Sequence, residues 1–423
     1  MFLNAGKLIS ANSIAAVLGL AAAALTARTL GTEKYGVLAL VLVYKGSIGI
    51  LVTFNAWQAV IKYGSEALNK NDRIGLQILI KFGFSLDIGS AVVGTILAMA
   101  LSGPVINFLG WDQSVRFLLQ LFSVLILFSL SGTPIGVLRL FDRFDLLSYT
   151  AVLSALVRLG GVAWCLLTRQ SLFGFVMVYL ITGIVGELYL VFASLWVLRQ
   201  HHLGGFFIRP LRRLRQRFPN ILDYVWTTNV HSTVRILSRE ADGLIIAGLT
   251  TPAALGLYKI AKQFSQVLTM LINPICDTIF PELSRLFAAG NKKAMRSLIK
   301  RSTFFVGSIA VCGWLVFIML GNWLIIQAVG SEYQDSYRVA VWYMLALVIA
   351  IITFSFQPSM LALGLPRTSL KILVLATLVY FVLLVPLVNV LGIVGASLSY
   401  IFFYMVWSIS MFISLRRHLF HLR

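Results

Sequence analysis

Eleven ionisable side chains fall inside segments that are otherwise apolar. Seven are basic (Lys45, Lys81, Arg158, Arg235, Arg239, Lys259 and Lys262) and four acidic (Asp87, Glu187, Glu240 and Asp242). In hydrocarbon each such charge costs ~2.5–3.5 kcal/mol on insertion scales, a cost avoided only by a partner or a watery cavity. The surplus of cations therefore points to a solvated interior that attracts anions. Thr228, His231, Arg235, Arg239 and Asp242 step by three or four residues and so share one helical face. Lys259, Lys262 and Gln263, Gln266, Met270, Asn273 and Asp277 make a second such stripe. On this pattern Lys45, Arg158, Arg235, Arg239, Lys259 and Lys262 are candidate contacts for an anionic, hydroxyl-rich substrate. The competing interpretation is a set of internal salt bridges, to which Arg239 is best suited because Asp242 follows at i+3. Lys81 sits near a helix end, where its amine can reach the interface. Asp87, Glu187 and Asp242 are candidate carriers of a proton or a sodium ion, since buried carboxylates titrate high and offer hard oxygen ligands. Pairing of Asp87 or Glu187 with Lys45 or Arg158 is the alternative, and His231 reads as a hydrogen-bonding neighbour of the arginines.

The elements that must hold these residues are membrane spans. The chain of 423 residues is 59% hydrophobic and 12% charged, too apolar for a soluble core. Runs of the ~20 residues needed to cross a bilayer recur twelve times, at roughly 8–27, 36–60, 77–103, 116–138, 146–168, 172–198, 221–249, 254–276, 301–326, 338–362, 369–389 and 391–415. They are expected to be helices, because in lipid each backbone group must find its partner within the segment. The opening segment has a lysine, an apolar run and small residues. It is expected to be a retained helix and not a cleaved signal, since removal would delete one member of a repeat. That repeat has a spacing of about 220 residues. Tyr35-Gly36-Val37-Leu38 is echoed by Leu255-Gly256-Leu257-Tyr258, Leu79-Ile80-Lys81 by Leu298-Ile299-Lys300, Pro134 and Arg143 by Pro358 and Arg367, and Gly174 by Gly392. A duplicated all-α polytopic membrane protein follows, with residues 1–200 as an N-terminal six-helix bundle, 201–218 as a basic linker and 219–423 as a C-terminal six-helix bundle. Such internal repeats are a common plan for transporters.

The loops fix an expected orientation. With the N-terminus inside, alternate loops hold 23 of the 35 Lys and Arg residues against five on the other side, a positive-inside signal that places both termini in the cytoplasm. The formal charge of +20 is thus topological, and nucleic acid is not an expected partner. The densest basic run, Arg199 to Arg217, includes Phe206-Phe207. It reads equally as a segment resting on anionic headgroups or as a plain charged linker. Cys165, Cys276 and Cys312 are scattered through apolar segments and form no metal or disulfide pattern. Outer loops are too short to hold an acceptor-binding domain, which argues against a polytopic glycosyltransferase. No phosphate-binding loop occurs, so direct ATP hydrolysis is not expected, and neither is a cofactor.

Two stretches carry a resemblance to a known group. Arg28-Thr-Leu-Gly31 with Tyr35-Gly36, and Asp242-Gly-Leu-Ile-Ile-Ala-Gly248 with Gly256-Leu-Tyr258 and Lys259, resemble polysaccharide-export proteins of the O-antigen and capsule flippase (Wzx) type. These belong to the multidrug/oligosaccharidyl-lipid/polysaccharide (MOP) exporter superfamily. The resemblance implies a MATE-like V of two six-helix bundles working by alternating access in a bacterial inner membrane. It implies an undecaprenyl-pyrophosphate-linked oligosaccharide as substrate, with the polysaccharide polymerase and glycosyltransferases as neighbours in assembly. A net-positive interior agrees with a pyrophosphate and disagrees with the cationic drugs handled by another branch. A membrane-embedded glycosyltransferase or polymerase is the alternative function.

Overall fold

The computed structural model describes the backbone of residues 2–52, 54, 56–240, 242–288, 292–363 and 365–420. Side chains are described for the same residues except 2–12, 230–232, 234–240, 271–285, 287, 288, 292, 361, 362, 366 and 418–420. Among the described residues every regular element is helical: α1 (Phe2–Val52), α2 (Trp57–Asn69), α3 (Arg73–Leu109), α4 (Ser114–Leu127), α5 (Gly132–Leu140), α6 (Phe144–Leu167), α7 (Leu172–Gln200), α8 (Leu214–Arg217), α9 (Ile221–Glu240), α10 (Asp242–Leu249), α11 (Pro252–Ala288), α12 (Lys292–Val329), α13 (Ser336–Ile352), α14 (Phe356–Ala362), α15 (Pro366–Leu391) and α16 (Ile393–Phe420). Nine helical stretches among the described residues are long and apolar enough to cross a membrane. One of them, Ser13–Val52, is 40 residues long, or ~60 Å at 1.5 Å per residue, twice the hydrocarbon thickness. The protein is a multi-pass membrane protein.

The helix ends refine the expected spans. Arg28 and Lys34, expected in an external loop, lie within α1, where two helices meet at Gly31 with φ 71° and ψ 173°. Only glycine adopts that conformation without strain, so one residue makes a corner for which the sequence suggested a loop. Span 36–60 stops at Val52. Spans 116–138, 221–249 and 338–362 each comprise two helices. Proline accounts for two of these divisions. Pro134 and Pro358 stand in the first turns of α5 and α14, where a missing N–H is harmless but the preceding helix cannot continue.

The repeat recurs in the element boundaries. Thr32 to Asn69 contains the second half of α1 and α2, and corresponds to α11. Then α3, α4, α5, α6 and α7 match α12, α13, α14, α15 and α16 in order. A reciprocal contact ties the repeats together. A Cβ on Gly36 would lie 1.7 Å from the Pro252 carbonyl oxygen, and one on Gly256 would lie 2.5 Å from that of Thr32. Gly36 and Gly256 are 220 residues apart, as are Thr32 and Pro252. Each glycine therefore meets the counterpart of the residue that meets the other, as an isologous contact requires.

Two compact units emerge, residues 1–26 with 40–244 and residues 27–39 with 245–423. The expected division into 1–200 and 219–423 follows the repeat in sequence; the compact units divide elsewhere, because 27–39 packs on α11 and 221–244 packs with the first unit. In the first unit Ala59, Val60 and Tyr63 of α2, Leu76, Ile78, Leu79 and Phe84 of α3, and Val137 and Leu138 of α5 form a core. Leu203, Phe206, Leu214, Phe218, Ile221 and Val225 complete it, so the 201–218 segment is packed and not a free linker. In the second unit Met295, Met360, Ile372, Met411 and Leu415 cluster together.

Candidate functional site

The structure gathers charged residues where α4 gives way to α5. Helix α5 opens with Ser131-Gly132-Thr133-Pro134, and Ser131, its N-cap, makes no side-chain capping bond. Its exposed N–H groups need an acceptor. Asp87 of α3 supplies one, its Oδ2 accepting the Thr133 backbone N–H at 2.6 Å. A carboxylate there also faces the positive end of the helix dipole. Asp87 is only 1% exposed. A Cβ on Gly132 would fall 2.5 Å from its Oδ1, so the carboxyl lies flat against backbone that tolerates no side chain. Gly83 plays the converse part, receiving the Thr133 side chain 2.4 Å from where a Cβ would sit.

Glu187 of α7 belongs to the same cluster. Ser131 at the N-cap of α5 and the Lys45 ammonium of α1 are its polar and charged neighbours. Asp87 and Glu187 are close enough to repel one another. Among the described residues Asp87 Oδ1 and Glu187 Oε2 are both buried without a hydrogen-bond partner. Two carboxylates, one ammonium and two hydroxyls thus share one region, with one negative charge in excess when all are ionised. Lys45 and Glu187 feel one another's charge, but no ion pair between them, nor between Asp87 and Arg158, is among the described contacts.

Arg158 of α6 lies elsewhere in the first unit, its guanidinium 5.2 Å from the centre of the Tyr179 ring on α7. Its Nε is buried without a hydrogen bond, and the ring face takes part of its charge. Asp242 opens α10, is buried, and accepts the Gly243 N–H at 2.9 Å. Arg235 and Arg239 lie on α9, but their side chains, like those of His231, Glu240, Asn273 and Asp277, are outside the described residues. In the second unit Lys259 is half-buried and Lys262 is 6% exposed on α11. Next to Lys262, Gln263 accepts the Tyr35 hydroxyl at 3.5 Å.

Lys81 has a definite partner in place of the water expected for it. Its ammonium donates to the carbonyls of Phe207 at 2.7 Å and Arg209 at 2.8 Å. Charge and periodicity do not single out Ser131, Gly132 and Thr133, although a serine and proline bracketing a glycine are a recognisable helix start.

A model of the family described as polysaccharide biosynthesis protein matches residues 2–287. Inner membrane protein YghQ of Escherichia coli strain K12 is 29% identical over 340 residues, which is 79% of this chain and 94% of that protein. The inward-facing structure of a multidrug resistance MATE family transporter of the MOP superfamily superposes with a TM-score of 0.77 at 13% identity, covering 98% of both chains. Lipid II flippase MurJ, in its inward closed conformation, superposes with a TM-score of 0.75 at 16% identity, covering 97% of this chain and 87% of that one. At these identities the likeness to the solved structures is one of fold.

Proposed function

The chain belongs to the polysaccharide biosynthesis protein family, and on that premise we propose that it is a flippase for a lipid-linked oligosaccharide. Its MATE-like all-α membrane fold is compatible with alternating access. The substrate we infer is an undecaprenyl-pyrophosphate-linked unit of O-antigen, capsule or exopolysaccharide. It is carried from the cytoplasmic to the periplasmic leaflet of a bacterial inner membrane, with both termini in the cytoplasm. Lys45, Arg158, Arg235, Arg239, Lys259 and Lys262 are the proposed contacts for pyrophosphate and acidic sugars. The prenyl tail stays in the bilayer, so the barrier lowered is that for the headgroup alone. The polymerase and glycosyltransferases of polysaccharide assembly are the proposed partners, and the protein itself acts as a transporter and not an enzyme.

The observation that supports this most is the Lys45, Asp87 and Glu187 cluster. Carboxylate oxygens buried without hydrogen bonds destabilise a resting protein and make sense where a charge is exchanged. We assign Asp87 and Glu187 to the coupling ion, H+ or Na+, with Asp242 as a further candidate. Protonation would remove the repulsion between the two carboxylates and release Lys45. The cluster would then alternate between a state in which Lys45 pairs with Glu187 and one in which the ammonium is available to a phosphate.

The test is surface glycan in cells carrying Arg235→Ala, Lys259→Ala or both. Display is expected to be lost while the protein remains inserted at normal abundance. Full display with both replacements would refute a cationic substrate path. Glycan extension by the purified protein alone would establish the glycosyltransferase or polymerase in its place.

A further inference from the structure

The segment between α7 and α9 is built as a strap with an inner and an outer face. It consists of two short 3-10 turns, Gly204–Ile208 and Leu211–Arg213, followed by α8. Its inner face is fastened at four places to the start of α3. The Phe206 ring is stacked on Phe84 at 5.4 Å. Lys81 holds the carbonyls of Phe207 and Arg209. Arg209 Nε donates to Gln77 Oε1 at 2.7 Å, and Arg217 pairs with Asp72. Burial works to raise the Asp72 carboxyl, but the Gly75 N–H and the Arg217 guanidinium outweigh it and hold the group below the usual carboxylate range. That anchor therefore keeps its charge through the physiological range.

The outer face is different in kind. Phe207 and Ile208 are 58% and 88% exposed, beside the exposed Leu211. Arg212, Arg213 and Arg215 are exposed alongside them and make no ion pair among the described residues. Lys81 fixes the backbone on both sides of Ile208, so this apolar tip is held outward by design of the contacts and not by disorder. Height matters too. Helix α3 has 37 residues, ~55 Å at 1.5 Å per residue, well beyond the ~30 Å of hydrocarbon. The strap clasps it between Gln77 and Phe84, in its second to fourth turns. The exposed apolar side chains Ile88, Val92, Val93 and Ile96 follow directly. The strap therefore sits where the bilayer surface must lie.

We propose that residues 204–217 form a membrane-surface anchor in which Phe207 and Ile208 enter the acyl boundary while Arg212, Arg213 and Arg215 bind the headgroups of anionic phospholipids. Apolar tips flanked by arginines are the composition that binds an anionic interface in plane. Charge complementarity selects the occupant. A protein partner would leave three unpaired arginines to be matched by acids, whereas an anionic leaflet supplies negative charge at every position. The inference rests on the chain spanning a membrane and is independent of what it carries.

The test uses the full chain, with Cys165, Cys276 and Cys312 replaced by serine, and a spin label at Ile208→Cys. The protein is reconstituted into nanodiscs of phosphatidylcholine alone or of phosphatidylcholine with phosphatidylglycerol. In the anionic bilayer the label is expected about 5–10 Å below the phosphates, open to oxygen and shielded from a water-soluble nickel chelate. Shielding should weaken in the neutral bilayer, and Arg212→Gln, Arg213→Gln, Arg215→Gln together should abolish the difference between bilayers. A label open to nickel in the anionic bilayer would overturn the proposal. So would equal shielding in both bilayers, or a difference that survives the triple replacement. Because the replaced arginines make no ion pair among the described residues, thermal stability serves as the folding control and should not change.

Discussion

The two proline-marked helix breaks occupy equivalent positions and are stabilised by opposite chemistry. In the first, between α4 and α5, Ser129 Oγ donates back to the Leu125 carbonyl at 3.2 Å, and Asp87 from α3 covers the start of α5. In the second, between α13 and α14, Thr353 Oγ1 donates back to the Ile349 carbonyl at 2.8 Å. There Thr353 and Ser408 share a hydrogen bond of 2.9 Å, and Ser355 meets Thr303 at 3.3 Å. Gly132 in the first break is replaced by Phe356 in the second, so only the first brings a neighbour flush against its backbone. The position on α12 that matches Asp87 is apolar, at Val306 or Gly307. One fold device thus serves two ends. With hydroxyls alone it is a satisfied joint; with a carboxylate, a nearby second carboxylate and a lysine it carries the charges that the proposed ion coupling requires.

The largest expected effect breaks this contrast at Asp87. Asp87→Asn keeps an oxygen for the Thr133 N–H and nearly the same volume, yet cannot ionise. Transport of lipid-linked oligosaccharide in proteoliposomes should fall about tenfold or more, equivalent to ~1.4 kcal/mol on the transport barrier, with little change in melting temperature. Asp87→Ala should add a loss of ~1–3 kcal/mol in stability, because the Thr133 N–H is left buried and unpaired. Normal transport by Asp87→Asn would make the first break as purely structural as the second.

Next in size is Gly132→Ala. Its Cβ would lie 2.5 Å from Asp87 Oδ1, and overpacking of this kind costs ~1–3 kcal/mol. The melting temperature should drop, and the pH dependence of transport should shift as the carboxyl is displaced. An unchanged pH profile in a protein that has lost stability would mean that Asp87 is a cap and not a carrier.

Part of this contrast is legible in the sequence, and the illegible part has a physical cause. Pro134 and Pro358 announce both breaks, and the cost of a charge in hydrocarbon singles out Asp87, Glu187 and Lys45 as residues needing company. The company itself is tertiary. Thr133 reaches Asp87 across 46 positions of sequence, and Lys81 reaches Phe207 across 126, so helical periodicity, which speaks of neighbours three or four residues apart, is blind to both. Hydropathy treats 116–138 as one span because every residue at the break is apolar, a hydroxyl or glycine. Conversely, Arg28, Glu33 and Lys34 interrupt the apolar pattern and make 28–35 read as a loop, where the structure has a corner at Gly31. The paired glycines show the reverse case. Tyr35-Gly36 and Leu255-Gly256 were visible as an echo, yet only coordinates reveal that the two copies pack on one another's start.

The smallest expected effect sharpens the comparison from the other side. Thr353→Val keeps the shape of the side chain at the second break but removes its hydroxyl, and with it the bonds to Ile349 and Ser408. A neutral hydrogen bond is worth ~0.5–1.5 kcal/mol net, so the melting temperature should fall by only a few degrees. The rate of transport and its dependence on pH should match the unaltered protein, since no titrating group faces this joint among the described contacts. Should Thr353→Val instead reduce transport as deeply as Asp87→Asn, the second break would be a working part. The division between an ionisable joint and a satisfied one would then give way to a pair of joints that both take part in transport.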